Sequence, residues 1–187
     1  MSRGRDHGFS SRWGEPGTGT DGADETKGVG MKRGLVGRGL LRTLTPGAAA
    51  TLYYLVRFHA KISPRAEVDI TANIAFGAGC IVGSFTKIKA SEGRLSLGRR
   101  GGIATSCFLS AGTADIHIGD NFICGPNVNI VGHNYRHDQL DRHLEDQGVT
   151  SQGITIGDNV WIGAGSTVTD GCSIGNNTIV VANSLVN

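Results

Sequence analysis

From Ile62 onward an apolar residue returns at every sixth position, with a small residue four places after it. Ile62, Val68, Ile74 and Cys80 open the series, followed by Ala66, Ala72, Ala78 and Ser84 in the small slots. The beat loosens over 85–95. It resumes at Leu97, Ile103 and Leu109, at Ile118, Cys124 and Ile130, and finally at Ile156, Ile162, Val168, Ile174, Val180 and Val186. A period of six is neither the 3.6 of an amphipathic helix nor the 2 of an ordinary strand. Short strands joined by tight corners do produce it, because equivalent residues then stack coil over coil, aliphatics inward and small residues at the corners. Gly, Asn and Asp between the beats ("IGDNVWIGAG", "IGNN") supply corner residues that accept positive φ. The expected fold is all-β, a parallel β-helix over 62–187.

The chain divides into three parts. Residues 1–30 carry four Lys/Arg, five Asp/Glu and almost nothing apolar, the composition of a disordered tail. Residues 31–61 carry six Lys/Arg and no acidic residue among Leu35, Leu40, Leu41, Leu44, Leu52, Tyr53, Leu55 and Phe58. Pro46 can open a helix there, running to about His59. This basic amphipathic neck reads as a helix that caps or flanks the body; the second reading is peripheral contact with anionic lipid. The remaining 62–187 carry eight Lys/Arg against eleven Asp/Glu. No secretory signal is legible, and the most apolar run, Gly47 to Val56, is far shorter than the ~20 residues of a membrane span. A cytoplasmic protein, possible contact with the inner membrane face included, is the expectation. Four cysteines without a Cys-x-x-Cys pair are expected to act as small hydrophobes, Cys80 and Cys124 in aliphatic slots and Cys107 and Cys172 in small ones. No Walker or dinucleotide loop appears, and the basic neck alone does not point to nucleic acid.

The beat breaks over Gly132 to Gly153, "GHNYRHDQLDRHLEDQGVTSQG", and returns in order at Ile156. Such a stretch on an intact scaffold reads as a functional loop, here 131–153. It holds His133, His137 and His143, and imidazole titrates near pH ~6.5, in the range a general base needs. His137 and His143 are expected to be solvated.

The segment "IGDNFICGPNVNIVGHNYRHD…TSQGITIGDNVWIGAGSTV" resembles the O-acyltransferase branch of the hexapeptide-repeat proteins, which includes maltose and galactoside acetyltransferases and enzymes that decorate exported polysaccharides. The resemblance covers about two thirds of the chain and implies a left-handed coil, a homotrimer, and acetyl-CoA as acyl donor with no metal. It implies His133, in Gly132-His133-Asn134, as general base toward a saccharide hydroxyl. From Trp161-Ile162-Gly163-Ala164 it implies the Ala164 N–H as oxyanion donor, with Trp161, Gly163, Ala182 and Asn183 along the coenzyme arm. Asn134, Tyr135, Arg136 and Asp138 would orient the acceptor. Two other classes remain open at this point: a γ-carbonic-anhydrase-like zinc lyase drawing on His117, His133, His137 and His143, and a non-catalytic β-helix scaffold.

Overall fold

The computed structural model describes residues 47–187. The expected 1–30 tail and the first part of the neck, 31–46, lie outside the described residues. Helix α1, Gly47–Phe58, opens directly after Pro46 with an Ala-rich first turn. It ends where His59 turns to φ 54° and donates its N–H to Leu55 O at 3.0 Å, a left-handed cap. Tyr54 anchors α1 to the first coil: it is 1% exposed and meets the Phe76 ring edge-on at 5.6 Å. Its hydroxyl donates to Asp69 O at 2.8 Å. The described part of the neck therefore forms a helix that flanks the first coil.

The body is a parallel β-helix with three faces, as the repeat predicted. Face A stacks Lys61–Ile62, Ile81–Val82, Gly102–Ile103, Ile123–Cys124, Trp161–Ile162 and Ile179–Val180. Face B stacks Glu67–Val68, Lys87–Ala90, Phe108–Ala111, Asn129–Gly132, Thr167–Thr169 and Leu185–Val186. Face C stacks Ile74–Phe76, Leu95–Leu97, Ile116–Ile118, Ile154–Ile156 and Ser173–Ile174. All these pairings are parallel, consistent with the coil the resemblance implies.

The interior is a set of side-chain columns. Ile88, Leu109, Ile130 and Val168 are fully buried on face B, and Ile118 and Ile156 on face C. Each such aliphatic, on the scale of ~1.5–3 kcal/mol for full burial, contributes to holding adjacent coils in register.

One part of the expected phase is corrected. After Ile74 the inward column continues through Phe76, Val82 and Ile88, not Cys80, and the beat then breaks between Ile88 and Leu97, within the stretch expected to loosen. Cys80 is buried, but it lies at the corner before Val82, and its thiol donates to Gly98 O. Ala72 and Ala78 are exposed rather than packed in small slots. The cause is corner length. Between faces B and C the first three coils run from Val68 to Phe76, Ile88 to Leu97 and Leu109 to Ile118, whereas the last runs from Val168 to Ile174. Equivalent residues are therefore 20 or 21 apart early in the helix and 18 apart only at its end.

The recurring Gly-Asp-Asn has a structural reason. At the corner from face C to face A, each side chain accepts the backbone N–H of the coil before it: Arg99 N–H to Asp120 Oδ1, Asp120 N–H to Asp158 Oδ1 and Asp158 N–H to Asn176 Oδ1, each 2.7 Å. The following residues, Arg100, Asn121, Asn159 and Asn177, take φ of 55–56°, a conformation Asn tolerates better than most. Gly119 is needed there because a Cβ would lie 2.8 Å from Gly157 backbone in the next coil.

Candidate active site

The interruption departs from the corner between faces B and C, after Asn129–Gly132, and rejoins at Ile154. It is not structureless. Asn134–Tyr135 pairs antiparallel with Val149–Thr150, and a 3-10 turn, Leu144–Gln147, closes the far end. Gln147 staples that end: its Oε1 accepts Gln139 N–H at 3.0 Å, and its Nε2 donates to Gln139 O and Arg142 O at 2.9 and 3.0 Å. At the base, Ser151 Oγ donates to Gly132 O at 2.6 Å and accepts Ala114 N–H at 2.9 Å. Asp170 accepts the N–H groups of Gln152 and Gly153 at 2.8 Å. Sequence reasoning missed Ser151, Asp170 and Gln147, because a lone Ser, Asp or Gln in a polar stretch carries no periodic signal.

The residues expected to meet an acceptor do converge. Asn134, Tyr135, Arg136 and Asp138, joined by His137 and Thr150, line an open depression of about 630 Å³. His137 is exposed, as expected, and its Nδ1 lies 3.3 Å from Tyr135 O; its place in the lining was not foreseen. His143 is exposed before the 3-10 turn.

His133 sits where the chain leaves face B, with its Cβ close to Gly112: a methyl on Gly112 would approach it to 2.9 Å. The ring is half-buried, and its Nδ1 is buried with no hydrogen-bond partner among the described residues. A buried polar atom left unpaired is costly, by roughly 1–3 kcal/mol, and such atoms call for an explanation.

The second group of expected residues gathers at a different edge. Trp161, 52% exposed, stands on the outer side of face A in register with Ile123 and Ile179, which are 55% and 64% exposed. Immediately after it, Gly163 and Ala164 turn the corner from face A to face B. Ala182 lies one coil on: a methyl on Gly163 would collide with its backbone. Asn183 donates its N–H to Ala164 O at 2.9 Å. The N–H groups of Ala164 and Ala182 make no hydrogen bond within the described chain, which leaves both as donors. In the coil before, Pro126 holds the place of Ala164 and has no N–H to offer.

Thus Trp161, Gly163, Ala164, Ala182 and Asn183 form one cluster, at the A-to-B edge. His133 and the depression form another, at the B-to-C edge. One copy of the chain does not bring them together, because face B separates them. Among the described residues no three of His, Cys, Asp and Glu gather in a way that could hold a metal ion. The four cysteines are free and buried. The hydrogen bond with Cys107, at 3.9 Å between the sulfurs, and burial push the Cys124 thiol far up, which keeps it protonated in the core.

Fold and corners define a parallel β-helix carrying a built hairpin arm. Residues 153–187 match the bacterial transferase hexapeptide family (six repeats). The chain is 40% identical over 73 residues to the galactoside O-acetyltransferase of Escherichia coli, covering 38% of this chain and 34% of that one. It is 29% identical over 144 residues to the bifunctional protein GlmU of Nostoc, covering 73% of this chain and 30% of that one. The chain spans about a third of the length of these curated relatives. Among solved structures, AntD, an N-acyltransferase from Bacillus cereus in complex with dTDP and 3-hydroxybutyryl-CoA, superimposes with a TM-score of 0.62 at 19% identity, over 69% of this chain and 70% of that one. A hexapeptide-repeat acetyltransferase from Vibrio cholerae complexed with acetyl-CoA superimposes with a TM-score of 0.53 at 22% identity, over 84% of this chain and 80% of that one. At these identities the likeness is one of fold.

Proposed function

We propose that the protein is an acetyl-CoA-dependent O-acetyltransferase acting on a hydroxyl of a saccharide or polysaccharide precursor, with its site assembled between two copies of the chain in a homotrimer. The observation that carries this reading is His133: an imidazole with a buried nitrogen that has no partner among the described residues, one residue before the polar side chains that line the open depression. The galactoside O-acetyltransferase relative supports sugar O-acetylation. The CoA-bound acyltransferases of the same fold, one of them also holding dTDP, support an acyl-CoA donor.

The chemistry follows from the groups present. An alcohol is a weak nucleophile at neutral pH, so His133 takes the hydroxyl proton as the oxygen attacks the thioester carbonyl. The Ala164 N–H of a neighbouring copy stabilises the oxyanion that forms. Collapse breaks the carbon–sulfur bond; the proton on His133 leaves with the CoA sulfur, giving an acetyl ester and the free thiol. Trp161, Gly163, Ala182 and Asn183 flank the pantetheine arm, the open N–H of Ala182 serving one of its amide carbonyls. Asn134, Tyr135, Arg136 and Asp138 hydrogen-bond the acceptor. The apolar strip Ile81, Ile123, Trp161 and Ile179 on the outside of face A supplies contact area for a second copy and the thiol arm.

The test is thiol release from acetyl-CoA across a panel of sugars, nucleotide sugars and amino sugars, with His133→Ala alongside. Acetyl ester formation that His133→Ala lowers by about 10²–10⁴-fold, with the melting temperature nearly unchanged, is the expected result. A loss below tenfold rejects His133 as the base. Acetylation of amino groups alone would move the protein to N-acyl transfer.

A further inference from the structure

Helix α1 has two apolar stripes where a surface helix needs one. The first, Ala50, Tyr54 and Phe58, faces the body. The second, Ala49, Leu52, Tyr53 and Val56, recurs at three and four positions on the other side. With Arg57 it lines an open groove of about 700 Å³. Leu52 is 60% exposed and Val56 71%. A smaller cavity of about 300 Å³ adjoins the helix, between Leu55 and the face A residues Lys61 and Ile81.

Charge indicates what covers this stripe. Arg57, Lys61 and Arg65 are all exposed on or just after α1. The 31–61 segment carries six Lys/Arg and no acidic residue, whereas 62–187 is acidic on balance. A second copy packed symmetrically on the stripe would bring these cations against themselves. Among the described residues no helix is long and apolar enough to cross a membrane, and α1 has 12 residues.

We propose that the outer stripe of α1 docks on an anionic lipid bilayer. The helix lies in the interface, with Leu52, Tyr53 and Val56 at the boundary between headgroups and acyl chains and Arg57, Lys61 and Arg65 on the headgroup phosphates. Apolar burial and attraction to anionic headgroups are the two contributions such helices combine. Tyr53, apolar in its ring and polar at its tip, suits that depth.

The experiment is co-sedimentation of the full chain with vesicles of phosphatidylcholine alone and of phosphatidylcholine with about one-third phosphatidylglycerol, at about 0.1 and 0.5 M salt. Binding is expected to the anionic vesicles only, and to fall at least about tenfold at the higher salt. Leu52→Glu with Val56→Glu should weaken it by about tenfold or more, while leaving the melting temperature and thiol release unchanged, because both side chains point away from the body. Arg57→Glu with Lys61→Glu should weaken it as strongly at low salt and little at high salt. Equal binding to neutral vesicles, no binding, or a Leu52/Val56 variant that binds as well as the parent overturns the proposal. So does a change in oligomeric mass of that variant without vesicles, which would mean that a second copy covers the stripe.

Discussion

Ala164→Pro tests the oxyanion donor with little disturbance to the fold, because the coil before it already holds the answer to whether proline fits. Cys124 and Ile162 are register partners, so Gly125-Pro126 and Gly163-Ala164 occupy the same corner. The bonds around it are alike too: Gly165 N–H donates to Pro126 O at 3.0 Å and Asn183 N–H to Ala164 O at 2.9 Å. The substitution deletes one N–H that has no partner in the described chain, so no internal hydrogen bond is lost and the melting temperature should move by no more than a few degrees. If that N–H serves the oxyanion, kcat should drop by about 10²–10³-fold, or ~2.7–4 kcal/mol of barrier. Mixing then tests where the site lies. Ala164→Pro chains supply intact His133 and His133→Ala chains supply intact Ala164. Random co-assembly in equal amounts into a ring of heterologous contacts should restore about one quarter of the sites. Thiol release after co-refolding or co-expression reads this directly. Retained activity in Ala164→Pro refutes the oxyanion assignment; two dead variants that stay dead on verified co-assembly refute a site shared between copies.

Three further outcomes follow from the same structure. Replacing 134–150 with a short Gly-Ser linker should leave the coil folded, since loop closure depends only weakly on length, and abolish acetyl transfer; a collapse in circular dichroism would mean that the hairpin supports the helix. Ile130→Ala, at a fully buried site in the middle of face B, should cost about 2–5 kcal/mol in denaturant unfolding, and a cost under 1 kcal/mol would contradict the stacked-column account. The Arg99 guanidinium, 2.6 Å away, holds Asp120 below the usual carboxylate range. Its contribution is therefore present above the unfolded carboxylate pKa of about 4 and lost as pH falls through the lower folded value. Asp120→Ala should then lower the melting temperature at neutral pH and less so in acid, and an equal deficit at both would refute the linkage.

The fold was legible because stacking forces one residue type into one column, so Ile103, Leu109, Ile118, Cys124 and Ile130 announce themselves by period alone. The phase error at Cys80 arose where that rule has no hold. The corner from face B to face C faces solvent, and its extra residues, Thr71 and Ala72 among them, change the count without changing any column. The site was legible in pieces. His133 stood out by its place at the exit from the coil, and the residues that line the depression by their position just after it. That Asn134 and Tyr135 would be strand-paired with Val149 and Thr150 was not legible, since a two-residue ladder has no period to read. Nor were the staples Ser151 and Gln147, whose partners are backbone atoms fixed only by the folded arm.

One corner explains both the irregular count and the place of the hairpin arm. Adding residues within a face would slip its side chains by one and turn aliphatics outward, and the C-to-A corner is tied by the Asp120, Asp158 and Asn176 chain of bonds. The B-to-C corner alone takes two or three extra residues in the early coils and a whole hairpin in the fourth, and its ties, such as Arg94 N–H to Asp115 Oδ1 and Gln152 N–H to Asp170 Oδ1, sit at different places in each coil. The arm must leave from there, and His133 with it. The open N–H groups need the opposite condition, a corner short enough to hold Ala164 and Ala182 in one fixed stack. A mobile-length corner and a fixed-length corner cannot be the same one. His133 and the open N–H groups therefore stand on different edges of every copy, and under the proposed function it is the meeting of unlike edges in an assembly that would complete a site.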